Sequence, residues 1–116
     1  MANGLRIFPD SIEERQRDSA GFNGTYQVLG GPLLYASPLM KFVNNSNVDV
    51  FISWNGVDDH DIIPAGGFAL YDFCSDAGTI RGLFAAKGIQ FWVKGTAAGT
   101  NAGSVYQVVF YTSEDL

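Results

Sequence analysis

From Val48 to Trp54 apolar side chains occupy every second position (Val48, Val50, Ile52, Trp54), while Asp49, Phe51 and Ser53 face the other way. A period of two with Asn55-Gly56 directly behind it predicts a half-buried strand entering a turn. The same period recurs along the chain. Thr25 to Leu29 precedes Gly30-Gly31-Pro32, and in Leu39 to Asn44 the set Leu39, Lys41 and Val43 opposes Met40 and Phe42. His60 to Ile63 ends at Pro64-Ala65-Gly66-Gly67, and Phe68 to Phe73 runs into Ser75-Asp76-Ala77-Gly78. In Ile89 to Lys94, Ile89, Phe91 and Val93 oppose Gln90, Trp92 and Lys94; in Ser104 to Tyr111, Val105, Gln107 and Val109 oppose Tyr106, Val108 and Phe110. Ile80 to Ala86 is ambiguous because Gly82 interrupts it. Asn45-Ser46-Asn47 predicts a tight turn that joins Leu39–Asn44 and Val48–Trp54 as a hairpin.

Short strands separated by turn residues, with no helix between them, are buried most economically as two sheets around one core. The expected fold class is all-β, a single-domain antiparallel β-sandwich of jelly-roll-like form. Residues 1–24 read differently. They carry Arg6, Asp10, Glu13, Glu14, Arg15, Arg17 and Asp18, with few large apolar side chains after Phe8. Ser11-Ile12-Glu13-Glu14 has the form of a capping box, in a stretch too short to hold a helix alone. The organisation expected is an extended N-terminal arm over 1–24, either frayed or ordered against a neighbouring subunit, and a sandwich domain over 25–116.

Composition narrows the function. The 116 residues include nine Phe, five Tyr and two Trp, more rings than a small core needs, which points to burial of some by a partner. A formal charge of −5 with seven scattered basic residues argues against a nucleic-acid footprint. No apolar run approaches the ~20 residues of a membrane helix, and nothing behind Met1 reads as a signal peptide, so synthesis in a reducing cytoplasm is expected. Cys74, the single cysteine, reads as a buried thiol.

Catalysis has little to build on. His60 is the only histidine, and neither Ser53 nor Ser104 has a base and an orienting acid beside it in sequence, so the chain reads as non-enzymatic. Asp58-Asp59-His60-Asp61 places three carboxylates and an imidazole together, but it lacks the order of a calcium loop and reads as a solvated acidic loop; no metal and no cofactor are expected. One His and one Cys exclude a zinc site. Trp54 continues an apolar face and reads as core, whereas Trp92 shares a face with Gln90 and Lys94 and is the suspect for a sugar platform or an interface. Strands with apolar residues on the second face nominate Phe51, Tyr71, Trp92 and Tyr106 as interface residues, with Phe8 from the arm.

The order of residues adds to this. Tyr26 to Leu33, Phe42 to Gly56, Asp59 to Gly66, Leu70-Tyr71-Asp72, Gly88 to Gly95 and Gly103 to Tyr106 form an ordered series. It resembles small structural proteins encoded by tailed bacteriophages, over about residues 25 to 111. Glu13 to Asp18 looks like an addition to that pattern. The resemblance implies a virion component without catalytic activity, present in many copies, self-associating and bound to the major capsid protein or other virion proteins. Capsid decoration or cement is the first expectation. A head-to-tail connector or a tail or tail-fibre adaptor is the alternative, and a carbohydrate-binding host-attachment module the alternative of another class.

Overall fold

The structure is a computed structural model that describes residues 7–73, 85–96 and 103–112. Among the described residues nine strands form two antiparallel sheets: β1 (Ile7–Pro9), β2 (Gln16–Asp18), β3 (Gln27–Val28), β4 (Leu39–Asn44), β5 (Val50–Ser53), β6 (Asp61–Ile63), β7 (Phe68–Asp72), β8 (Trp92–Gly95) and β9 (Ser104–Thr112). One sheet has the order β1-β9-β4-β7, with β2 also on β9; the other has the order β3-β8-β5-β6. The sandwich expected from the alternation is therefore the fold. Met40, Phe42, Val105, Val109 and Tyr111 from the first sheet meet Val50, Ile52, Ile63, Phe91 and Val93 from the second in one core, with Leu29 and Leu33 from the intervening segments. The inward and outward sets read from sequence in β4, β8 and β9 hold position by position, including the fully buried Gln107. Cys74, residues 80–84 of the ambiguous strand and the tip of the 95–103 loop lie outside the described residues.

Two expectations are corrected. Leu39–Asn44 and the strand after it do not form a hairpin: β4 pairs with β7 and β9, while β5 pairs with β6 and β8 in the opposite sheet. The Asn45-Ser46-Asn47 segment is an arch between sheets, held by the buried Asn44 side chain. Its Nδ2 donates to the carbonyls of Val48 (2.8 Å), Ile63 (3.0 Å) and Pro64 (3.1 Å), and its Oδ1 accepts from the Ser46 hydroxyl at 2.6 Å. A two-residue hairpin satisfies its backbone by ladder pairing, whereas this arch relies on side chains, with the Ser46 hydroxyl donating to Val48 O (3.1 Å) beside the Asn44 amide, and on the Asn45 N–H donating to Ser104 O (2.9 Å). Asn44→Ala is expected to destabilise the protein by about 2–3 kcal/mol, because buried carbonyls lose their donor. Urea unfolding checks this, with exposed Asn45→Ala expected within about 0.5 kcal/mol of the parent.

The second correction concerns the arm. Residues 7–24 are not extended away from the sandwich but complete it. β1 lies antiparallel on the last third of β9, from Ile7 opposite Thr112 to Pro9 opposite Phe110, and β2 lies on its start, from Gln16 opposite Tyr106 to Asp18 opposite Ser104. Between them Ser11 caps a single 3-10 turn, Ile12–Glu14, its hydroxyl accepting from the Glu13 N–H. The chain leaves the ladder at Asp10, whose N–H donates to Val109 O, and rejoins it at Arg15, whose carbonyl accepts from Gln107 N. Phe22, just beyond, is buried in the core.

That excursion carries Arg15 inward, and its side chain is only 3% exposed. The guanidinium donates to Asp10 Oδ2 (2.7 Å), Gln107 Oε1 (3.0 Å) and the Tyr111 hydroxyl (3.1 Å), and the Tyr111 hydroxyl donates to Asp10 Oδ2 at 2.7 Å. Burial works against the charge on Asp10, but the hydrogen bonds from Arg15, Tyr111 and the Ser11 N–H outweigh it and hold the carboxyl below its ordinary pKa. Among the described residues, every buried side-chain polar atom has a partner.

Candidate interaction surfaces

Each sheet turns one face to the core, and the opposite faces are where alternation leaves apolar residues unused. On the β1-β9-β4-β7 sheet the register lines up three outward rows. Phe68, Val43 and Tyr106 make the first, Leu70, Lys41 and Val108 the second, and Asp72, Leu39 and Phe110 the third. Phe68 is 66% exposed and Leu70 54% exposed. Lys41 at the centre has no carboxylate within ion-pair distance among the described residues. This face is a largely apolar surface with Lys41 in its middle and Asp72 at one corner.

The outer face of the other sheet is more polar. Phe51 stands between Ile62 on β6 and Lys94 on β8. The Lys94 ammonium lies 4.6 Å from the Tyr26 ring centre and 5.3 Å from that of Phe51, and 3.2 Å from Asp59 Oδ1. Tyr26 donates its hydroxyl hydrogen to the same carboxylate. That bond, with the Lys94 contact, lowers the Asp59 pKa, and burial together with Asp59 raises that of Tyr26. A shallow, wide-open depression of about 270 Å³ lies beside this cluster, lined by Phe51, Asp59, His60, Asp61 and Ile62.

The acidic loop is spent on internal bonds. Asp58 accepts from Asn55 Nδ2, Asp59 is held by Tyr26 and Lys94, and Asp61 accepts from the Tyr71 hydroxyl (2.5 Å) and the Ile62 N–H. His60 Nδ1 accepts from the Trp54 N–H at 3.0 Å. Among the described residues no three His, Cys, Asp or Glu side chains converge as a metal site would require. The Ser53 hydroxyl donates to Asn55 Oδ1 (3.0 Å) and accepts from the Asn55 and Gly56 N–H groups, so its proton is directed within its own turn and not to His60.

The five nominated interface residues separate. Phe51 and Trp92 lie on the outer face of one sheet and Tyr106 on that of the other. Tyr71 is turned inward, which corrects its assignment to an outer face, and Phe8, nominated from the arm, also packs against the core. Tyr71 packs among Phe42, Trp54 and Phe73 with its hydroxyl tied to Asp61, and Phe8 packs edge-on against Tyr35 and beside Tyr111. Trp54 packs against the core on Phe91 and Tyr71 as expected. The Trp92 indole is covered by Gly56, where φ is +78° and a Cβ would stand 2.9 Å from the ring; only glycine fits there. Exposed Phe68, Leu70 and Ile62 were missed. Phe68-Ala69-Leu70-Tyr71 is apolar at every position, so alternation alone cannot say which pair faces out. The outward position of Lys41 would have decided it, had the β4–β7 pairing been known.

Comparison of the chain with family models, with curated proteins and with solved structures found no match.

Proposed function

We propose that this protein is a non-enzymatic structural component of a bacteriophage virion, in the first place a capsid decoration or cement protein. The observation that carries the reading is the presence of apolar side chains on both outer faces of the sandwich: Phe68, Leu70 and Tyr106 on one, Phe51 and Ile62 on the other. A protein acting alone buries one face of each sheet and keeps the other polar. One with neighbours on two sides has use for both, as a repeated element of a shell does. The resemblance of residues 25–111 to small phage structural proteins points the same way. A sugar-binding reading is less well supported, because Trp54 packs against the core and Trp92 is covered by Gly56 rather than offered as an open stacking platform.

The test is quantitative mass spectrometry of particles purified from cells producing the phage, counting this chain against the major capsid protein. A copy number equal to that of the capsid protein, or a simple fraction set by its lattice, is the expected result. Ile62→Asp, on the outer face of an edge strand, should sharply lower that number while the isolated protein stays folded. A handful of copies per particle would move the protein to the connector or tail, and absence from particles would overturn the reading.

A further inference from the structure

We infer that the outer face of the β1-β9-β4-β7 sheet seats on a different protein of the particle, at an apolar surface that carries a carboxylate opposite Lys41. The inference rests on the virion reading and adds to it which face docks and what chemistry receives it. Along β4 the outward side chains around Lys41 are Leu39 and Val43, and the register places Leu70 of β7 on one side of it and Val108 of β9 on the other. The lysine is thus half-buried in a ring of apolar residues. Arg15, Arg17 and Lys94 each have an acceptor within the chain, whereas Lys41 has no carboxylate within ion-pair distance among the described residues.

While the face is wet, its ammonium stays hydrated. A partner that covers Phe68, Leu70, Val108 and Tyr106 takes that water away, and only a carboxylate brought by the partner offsets the loss. The same requirement makes the face selective, because a purely apolar surface that covers it strands the cation. The outer face of the other sheet makes no such demand: Lys94 is matched there by Asp59 and by the Tyr26 and Phe51 rings.

A second copy of this chain does not meet the requirement. Its matching face brings another Lys41, the carboxylate at the corner of that face, Asp72, already interacts within its own chain, and each copy carries a net charge of −5. A membrane surface or a nucleic acid calls for a cluster of cations, and the described strands offer only Lys41 on this face. An apolar protein surface with a single carboxylate is the occupant that fits.

Phage lacking the gene, complemented with plasmid-borne variants, tests this by mass-spectrometric copy counting in purified particles. Lys41→Glu keeps a charge on the face but reverses its sign, and should lower the copy number at least about fivefold, while Lys41→Arg should stay within about twofold of the parent. Thermal melts verify that the variants remain folded. Should Lys41→Glu unfold, Phe68→Glu, at a 66% exposed position of the same face, must lower the copy number likewise. Zero-length carbodiimide cross-linking of parent particles should join Lys41 to an Asp or Glu of another virion protein. Folded Lys41→Glu present at the parental copy number overturns the inference, since a lysine kept only for solubility is replaceable by either charge. A cross-link from Lys41 to a second copy of this chain overturns it too. Both results leave the virion reading intact, because that reading fails only if the parent chain is absent from particles.

Discussion

Arg15→Leu is expected to lower stability by about 3–4 kcal/mol, the scale on which removing one partner strands a buried ion pair. For a domain of this size that corresponds to a fall in Tm of roughly 10–20 °C. The substitution removes donors from three groups at once. Gln107 Oε1 is fully buried and has no route to water, the Tyr111 hydroxyl loses one partner, and Asp10 loses its counter-charge. Leucine also leaves space beside Gly30, where φ is +78° and the Arg15 guanidinium lies 2.7 Å from where a Cβ would be. Arg17→Ala is the control: that side chain donates to Val28 O at the surface and should cost under about 1 kcal/mol. The same network sets an acid limit. The folded pKa of Asp10 lies below its ordinary value of 3.8, so its contribution is complete above about pH 4 and is lost as pH falls through the folded value. Equilibrium unfolding between pH 2 and pH 7 should show that loss in the parent and a shallower one in Arg15→Leu.

The Arg15 network also shows where sequence reading succeeds and where it stops. Period-two alternation identified the inward faces of β4 and β9, because each strand places Met40 and Phe42, or Val105 and Val109, on one side without interruption. Gln107 on that inward side of β9 was visible as an anomaly, and a buried amide implies a polar partner. The partner was not visible. Arg15 stands in the run Glu13 to Asp18, which has the composition of a solvated face, and only the pairing of β1 and β2 with β9 turns its side chain to the core. Pairing is also what defeated the hairpin expectation: Asn45-Ser46-Asn47 suits a turn and suits an arch, and the two differ in which distant strands lie beside Asn44. The exposed candidates Phe68 and Leu70 were hidden for the converse reason, apolarity on both faces of β7. Non-local pairing decided each case, and local propensity does not encode it.

Deleting residues 1–22 separates an arm from a structural edge more decisively than any point substitution. An arm that serves only a neighbour can be cut away to leave a folded monomer. Here the cut removes β1 and β2, leaving one side of the nine-residue β9 without its ladder, and it removes Arg15 from Gln107 and Tyr111 and Phe22 from the core. The Phe22 ring alone accounts for about 2–3 kcal/mol of burial, and the Arg15 network adds a similar amount, together comparable to the whole stability of a small domain. The truncated chain is therefore expected to lose cooperative unfolding in circular dichroism. It should also aggregate, since an uncovered edge with apolar neighbours is a template for further pairing. A synthetic peptide covering residues 1–24, added during refolding, should bind β9 and restore the melt. A truncated protein that melts cooperatively as a monomer would show that β9 holds its place without the N-terminal strands.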